Sequence, residues 1–155
     1  MNSPDITLKN GIKIFTIGFS KKSARQFFKI LQQAGVKKVV DIRLNNVSQL
    51  AGFTKKDDLE FFLHSIAGIE YKHRTELAPT KEILDGYKKK KLSWSEYKEL
   101  FSKVMIERQI ENIVTPEELD YACLLCSEPK ADKCHRRLVA EYLRDKWANV
   151  EIRHL

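Results

Sequence analysis

The chain has 155 residues, with 28 Lys and Arg against 21 Asp and Glu and a net charge of +7. One domain of this size hides roughly 70% of the surface its unfolded chain exposes, so a core needs neither disulfides nor metal. The 43% apolar content excludes disorder, no apolar run approaches the roughly 20 residues of a membrane helix, and three cysteines make no disulfide scaffold.

Met1 to Asn10 is polar and carries no signal-peptide core. The expectation is a cytoplasmic protein with no membrane contact. Its basic balance suits a phosphate-bearing small molecule or a nucleic acid.

Ile12 to Ile17 reads IKIFTI, a β-rich run closed by Gly18. Ser23 and Gln26 form a capping-box pattern, and Phe27, Phe28, Leu31 and Ala34 follow at helical spacing up to Gly35. Lys38 to Ile42 reads as a second strand. Thr54 is expected to cap a helix that buries Leu59, Phe62, Leu63 and Ile66 and stops at Gly68. Glu70 to His73 is a short third strand.

Thr80 to Lys90 reads as a short helix, and its run Lys88 to Lys91 as a solvated end. Ser93 and Glu96 form a second capping box, ahead of Trp94, Tyr97, Leu100, Phe101, Val104 and Met105 at near-3.6 spacing. Pro116 opens a turn or brief helix. Tyr121 to Leu125 reads YACLL, a continuous apolar run of the kind that parallel sheets cover on both faces. Asp132 is expected to cap the next helix, with Leu138, Val139, Tyr142, Leu143 and Trp147 on its apolar side. Val150 to His154 is a last strand.

Strands alternating with helices predict an α/β fold: a mostly parallel sheet of four to five strands with helices on both faces. Residues 1–155 form a single domain. The strandless stretch of about 77–113 reads as a helical insertion that packs as a flap beside the sheet.

Ligands of open α/β sheets bind outside the C-terminal ends of the strands. The residues expected there are Gly18 and Ser20, Arg43, His73, and Cys126 with Glu128. Cys134, His135 and Arg136 open the helix that follows. A first helical turn favours negative charge, lowers a thiol pKa and holds phosphate. Gly18, Ser20, Arg43, His135 and Arg136 are therefore the candidate ligand-binding residues. Cys126, Cys134, Glu128 and His73 are the candidate catalytic ones. Arg43 has a second reading, an ion pair with Asp41 or Glu128.

The cysteines have competing readings. A phosphatase loop of the Cys-x5-Arg type is disfavoured, because Asp132 stands where its Arg belongs. Zinc is disfavoured too. Cys123 and Cys126 fall on opposite strand faces, and the neighbours Cys134 and His135 are awkward on one ion. No metal and no cofactor is expected. Cys123 reads as a small buried apolar residue.

These residues resemble a family of widespread prokaryotic proteins called domain of unknown function 488. The resemblance runs from about Ile14 to Leu155. It is carried by Thr16-Ile17-Gly18-Phe19-Ser20, Val40-Asp41-Ile42-Arg43, Tyr71-Lys72-His73, Leu124-Leu125-Cys126-Ser127-Glu128, Cys134-His135-Arg136 and the ending Val150 to Leu155. Departures are Asn45-Asn46-Val47-Ser48, where relatives carry a basic Arg-Pro-x-Ser segment, and Leu77-Ala78-Pro79, where they carry Leu-Gly-Gly. The resemblance implies a single α/β domain with the pocket described, and it implies no activity.

The expectation for function is an enzyme binding a phosphate-bearing ligand in a Cys/Arg/Glu pocket. The alternatives are a non-catalytic nucleic-acid-binding module and a thiol-redox or sulfur-transfer protein using Cys126 and Cys134.

Overall fold

The computed structural model describes residues 11–47, 52–128 and 131–155. The polar segment Met1 to Asn10 and Ser48 lie outside the described residues. Five strands, β1 (Ile12–Gly18), β2 (Lys38–Asp41), β3 (Glu70–His73), β4 (Ala122–Cys126) and β5 (Val150–His154), make one sheet in the order β3-β2-β4-β1-β5. Every pairing is parallel. The fold is α/β, as the alternation of apolar strands and amphipathic helices predicts.

Helix α1 (Ala24–Ala34) starts at the Ser23–Gln26 capping box and ends at Gly35, whose φ of 78° is the left-handed conformation glycine adopts without penalty. Helix α2 (Lys56–Phe62) runs into a wider turn over Leu63–Ala67. Its N-cap is Lys55, not Thr54, which lies in the preceding 3-10 turn. The widened turn shifts the helical phase. Leu59 and Leu63 stay buried, but Ile66 faces out, against expectation.

Between β3 and β4 come α3 (Lys81–Lys88), α4 (Trp94–Arg108), α5 (Ile110–Ile113) and α6 (Pro116–Leu119). The capping box at Ser93 and Glu96 holds the start of α4. Tyr97, Phe101 and Met105 face inward at four-residue spacing, while Leu100 sits at the rim. Lys88 to Lys91 are exposed. The stretch 77–113 covers a face of the sheet, and does not stand beside it as a flap. Leu77, Ile83, Phe101 and Ile110 share one core with Ile14, Val40 and Leu124.

That core also takes Val139, Ala140 and Leu143 from α7 (His135–Lys146). The opposite core joins Phe15, Ile17, Val39, Cys123 and Leu125 to Phe27, Phe28 and Leu31 of α1 and Leu59 and Leu63 around α2. Side chains two apart on a strand share a face, which explains how β1, β2 and β4 each feed both cores.

The strand order positions the site. β4 is inserted between β1 and β2. From β1 the chain passes to β2 over the α1 face, and from β4 it passes to β5 over the α7 face. Neighbouring strands whose connections leave in opposite directions open a crevice at their C-terminal ends. Among the described residues, no helix is long and apolar enough to cross a membrane.

Candidate functional site

Gly18 and Cys126 are partners at the ends of β1 and β4. The pairing continues beyond the strands: Phe19 N–H donates to the Cys126 carbonyl at 3.3 Å, and Ser20 N–H to the Ser127 carbonyl at 3.0 Å. A side chain at residue 18 would overlap the Glu128 carbonyl, and its Cβ would lie 2.6 Å from Arg136 Nη1. Glycine is therefore required for the two loops to close over each other.

Arg136 fills the space beneath them and is 1% exposed. Its Nε donates to Thr16 Oγ1 at 3.2 Å, and its Nη1 to the Glu128 carbonyl at 2.5 Å and to Cys126 Sγ at 3.2 Å. No carboxylate of the described residues pairs with it. Glu128 contributes its backbone, and its side chain is exposed. Thr16 Oγ1 in turn hydrogen-bonds with His154 Nδ1 at 2.6 Å, so a chain of hydrogen bonds links the buried guanidinium to the last strand. Burial, and the charge of Arg136 after it, hold His154 below its ordinary pKa.

Helix α7 begins at Cys134, which is the N-cap with extended backbone (φ −135°, ψ 142°). The expected cap, Asp132, is two residues too early. The Cys134 sulfur meets that of Cys126, and the two are joined. His135, the first helical residue, is buried against Phe101 and donates from Nε2 to the Ile42 carbonyl at 2.7 Å. Burial pushes its pKa down to about 4, so the ring is neutral at pH 7. Arg137 turns outward to Glu141 at 2.8 Å.

Arg43 lies at the end of β2, 5% exposed. Its Nε and Nη2 grip the two oxygens of Asp41 at 2.8 and 2.7 Å, and Nη2 also donates to the Thr54 carbonyl at 2.7 Å. This is the Asp41 ion pair foreseen as its second reading. Nη1 is buried without a hydrogen-bond partner. The guanidinium lies over the Phe19 ring, 5.3 Å from its centroid. Asp41 also accepts from Tyr71 Oη at 2.6 Å and from Asn46 at 3.3 Å. Burial alone would raise the Asp41 pKa, but the Arg43 hydrogen bonds and charge outweigh it and hold it below 3.8. His73 donates from Nε2 to the Arg43 carbonyl at 2.7 Å and so holds that turn.

Lys22 completes the group. Its Nζ donates to the Gly18 carbonyl at 2.7 Å, and burial together with the charge of Arg136 lowers its pKa. The turn Gly18-Phe19 is thus the hub: Arg136 and Lys22 approach Gly18, and Arg43 covers Phe19. Gly18, Ser20, Cys126, Glu128, Cys134 and Arg136 gather at this turn. His135 and His73 attach to the adjoining residues Ile42 and Arg43. Cys123 points into the opposite core.

Sequence reasoning passed over Thr16, Lys22, Asn46, Tyr71 and His154. Thr16 carried a signal, because a polar residue inside a buried strand needs a partner. His154 carried one in the resemblance alone. Lys22 carried none.

A family model described as "Domain of unknown function DUF488" matches residues 23–143, more than half of the chain. No curated protein matches the chain. No solved structure matches it either.

Proposed function

The chain belongs to the DUF488 family, a name that carries no chemistry, and we propose from the site that it is an enzyme acting on a phosphate-bearing ligand, a nucleotide or nucleic acid, with Cys126 as the thiol at its centre. One observation carries the reading. Arg136 is buried with no carboxylate of the described residues hydrogen-bonded or ion-paired to it, and its Nη1 lies 3.2 Å from Cys126 Sγ. A buried charge without an ion-pair partner costs several kcal/mol. The negative charge it calls for comes from the Cys126 thiolate and from an anion bound above it.

Further support is the clustering of cationic groups around Gly18-Phe19. Arg43 keeps Nη1 unused, and Lys22 reaches the Gly18 carbonyl. The start of α7 adds its partial positive charge. The reading places the protein in the reducing cytoplasm, where the thiols stay free.

The test is a thermal-shift titration of the reduced protein with inorganic phosphate, nucleoside mono-, di- and triphosphates and a short single-stranded oligonucleotide. One of these is expected to raise Tm, less so in Lys22→Met, and not at all in Arg136→Met. Retained binding with lost turnover in Cys126→Ser marks the enzyme. No stabilisation by any of them contradicts the reading. Binding that survives Cys126→Ser and Cys134→Ser with no turnover in any form favours the binding module.

A second reading has its own observation, the joined sulfurs of Cys126 and Cys134. A thiol-redox protein would cycle between this state and the dithiol. Loss of two free thiols per chain on mild oxidation, in Cys123→Ser as in wild type, supports it. An unchanged thiol count removes it.

A further inference from the structure

We propose that the reduced side chains of Cys126, Cys134 and His135 form a binding site for a soft divalent metal ion, of which zinc is the type best suited. The proposal goes beyond the phosphate-ligand reading and stands whether or not that ligand binds. Both sulfurs and a ring nitrogen of His135 lie within 4.8 Å of one another, and all three residues are buried. Two thiolates and an imidazole are the donor set zinc favours.

Adjacency in sequence makes Cys134 and His135 poor candidates for one ion. The start of α7 removes that objection. Cys134 is the extended N-cap and His135 the first helical residue. The backbone changes conformation between them, so their side chains do not follow the fan of consecutive helical positions. A residue or two further into the helix, the same dipeptide would diverge.

The histidine is held as a ligand needs to be held. Nε2–H donates to the Ile42 carbonyl at 2.7 Å, which leaves the free lone pair on Nδ1. A backbone acceptor on the far nitrogen is the usual device for fixing the tautomer and orientation of a metal-binding imidazole. Phe101 packs against the ring in a T-shaped contact. Arg136 Nη1 supplies an N–H donor to Cys126 Sγ from outside the donor set, which stabilises a thiolate there.

In this structure the two sulfurs already meet, so reduction presents both thiols to one ion. Metal binding and the joined state are alternative uses of the same pair, and the metal needs the dithiol. Three protein ligands leave a fourth position open, the pattern of catalytic zinc.

The experiment uses the full chain, reduced and metal-stripped, titrated with zinc and separately with cobalt(II). The expected result is one ion per chain, a thiolate-to-cobalt charge-transfer band, and tetrahedral ligand-field bands. Bound zinc protects Cys126 and Cys134 from alkylation. Cys123→Ser binds as wild type does, and Cys134→Ser loses most of the charge-transfer intensity. His135→Gln keeps an N–H for Ile42 and removes Nδ1, and weakens binding at least about tenfold. Absence of a charge-transfer band in wild type overturns the proposal, as does binding unchanged by Cys134→Ser. These readouts need no phosphate ligand and no turnover, so failure of the metal site and failure of the ligand reading are told apart.

Discussion

Arg136 donates from Nη1 to Cys126 Sγ at 3.2 Å, and no carboxylate of the described residues shares that buried space. Arg43, equally deep and at the next strand end, has both oxygens of Asp41. The two arginines therefore have different physics. Arg43 is neutralised by a direct ion pair, whereas Arg136 has hydrogen bonds to uncharged groups and to the sulfur, with the charge of Glu128 acting on it only through space.

Replacing Asp41 by Asn keeps the shape and removes the charge. Arg43 is then a buried cation with no partner, and unfolding free energy falls by about 3–5 kcal/mol in a urea titration. The sign of the pH dependence follows from the depressed Asp41 pKa. A carboxylate held lower in the folded state than in the unfolded one stabilises fully above the unfolded value of 3.8. That contribution is lost as pH falls through the folded value. Asp41→Asn lacks this component, so wild type and variant converge in stability under acid. Parallel curves at every pH contradict the ion pair.

Gly18→Ala puts a methyl group into the Glu128 carbonyl and against Arg136 Nη1. The cost exceeds the roughly 1–3 kcal/mol of ordinary overpacking, because one obstacle is backbone. Gly52→Ala meets nothing within 4 Å and is the control. Denaturation midpoints check the pair: Gly18→Ala drops and Gly52→Ala stays near wild type. Equal midpoints contradict the close approach of the two loops.

Thr16→Val removes the acceptor for Arg136 Nε and the hydrogen-bond partner of His154 Nδ1 together. The unpaired buried N–H costs about 1–3 kcal/mol. Thr16→Ser, which keeps the hydroxyl, recovers most of that loss. His154→Ala, at the exposed end of the chain of bonds, costs less than Thr16→Val. Calorimetric Tm values for the three variants give the order, and a neutral Thr16→Val contradicts the linkage.

The elements were legible where local chemistry decides them. Both capping boxes, at Ser23 and Ser93, start the helices they predict, because a cap is satisfied within four residues. The apolar runs from Ile12, Lys38 and Tyr121 are strands because sheets covered on both faces need them. The α7 start was misplaced at Asp132, where cap chemistry favours an acid but tertiary contacts of Cys134 and His135 set the boundary. The gathering of Cys126, Cys134 and Arg136 was legible from the strand-end rule. The partnership of Thr16 with Arg136 was not. It depends on β4 entering between β1 and β2, a strand order that no local pattern encodes.

The most direct measurement is the ionisation of Cys126 itself. In metal-free Cys123→Ser/Cys134→Ser protein, Cys126 is the remaining cysteine, and its thiolate absorbance can be followed against pH. With Arg136 in place, the absorbance persists through neutral pH, below the range of about 8.5 where a free thiol ionises. With Arg136→Met in the same background, it vanishes at neutral pH while circular dichroism reports a folded chain. A Cys126 that ionises no lower than a free thiol with Arg136 present contradicts the account.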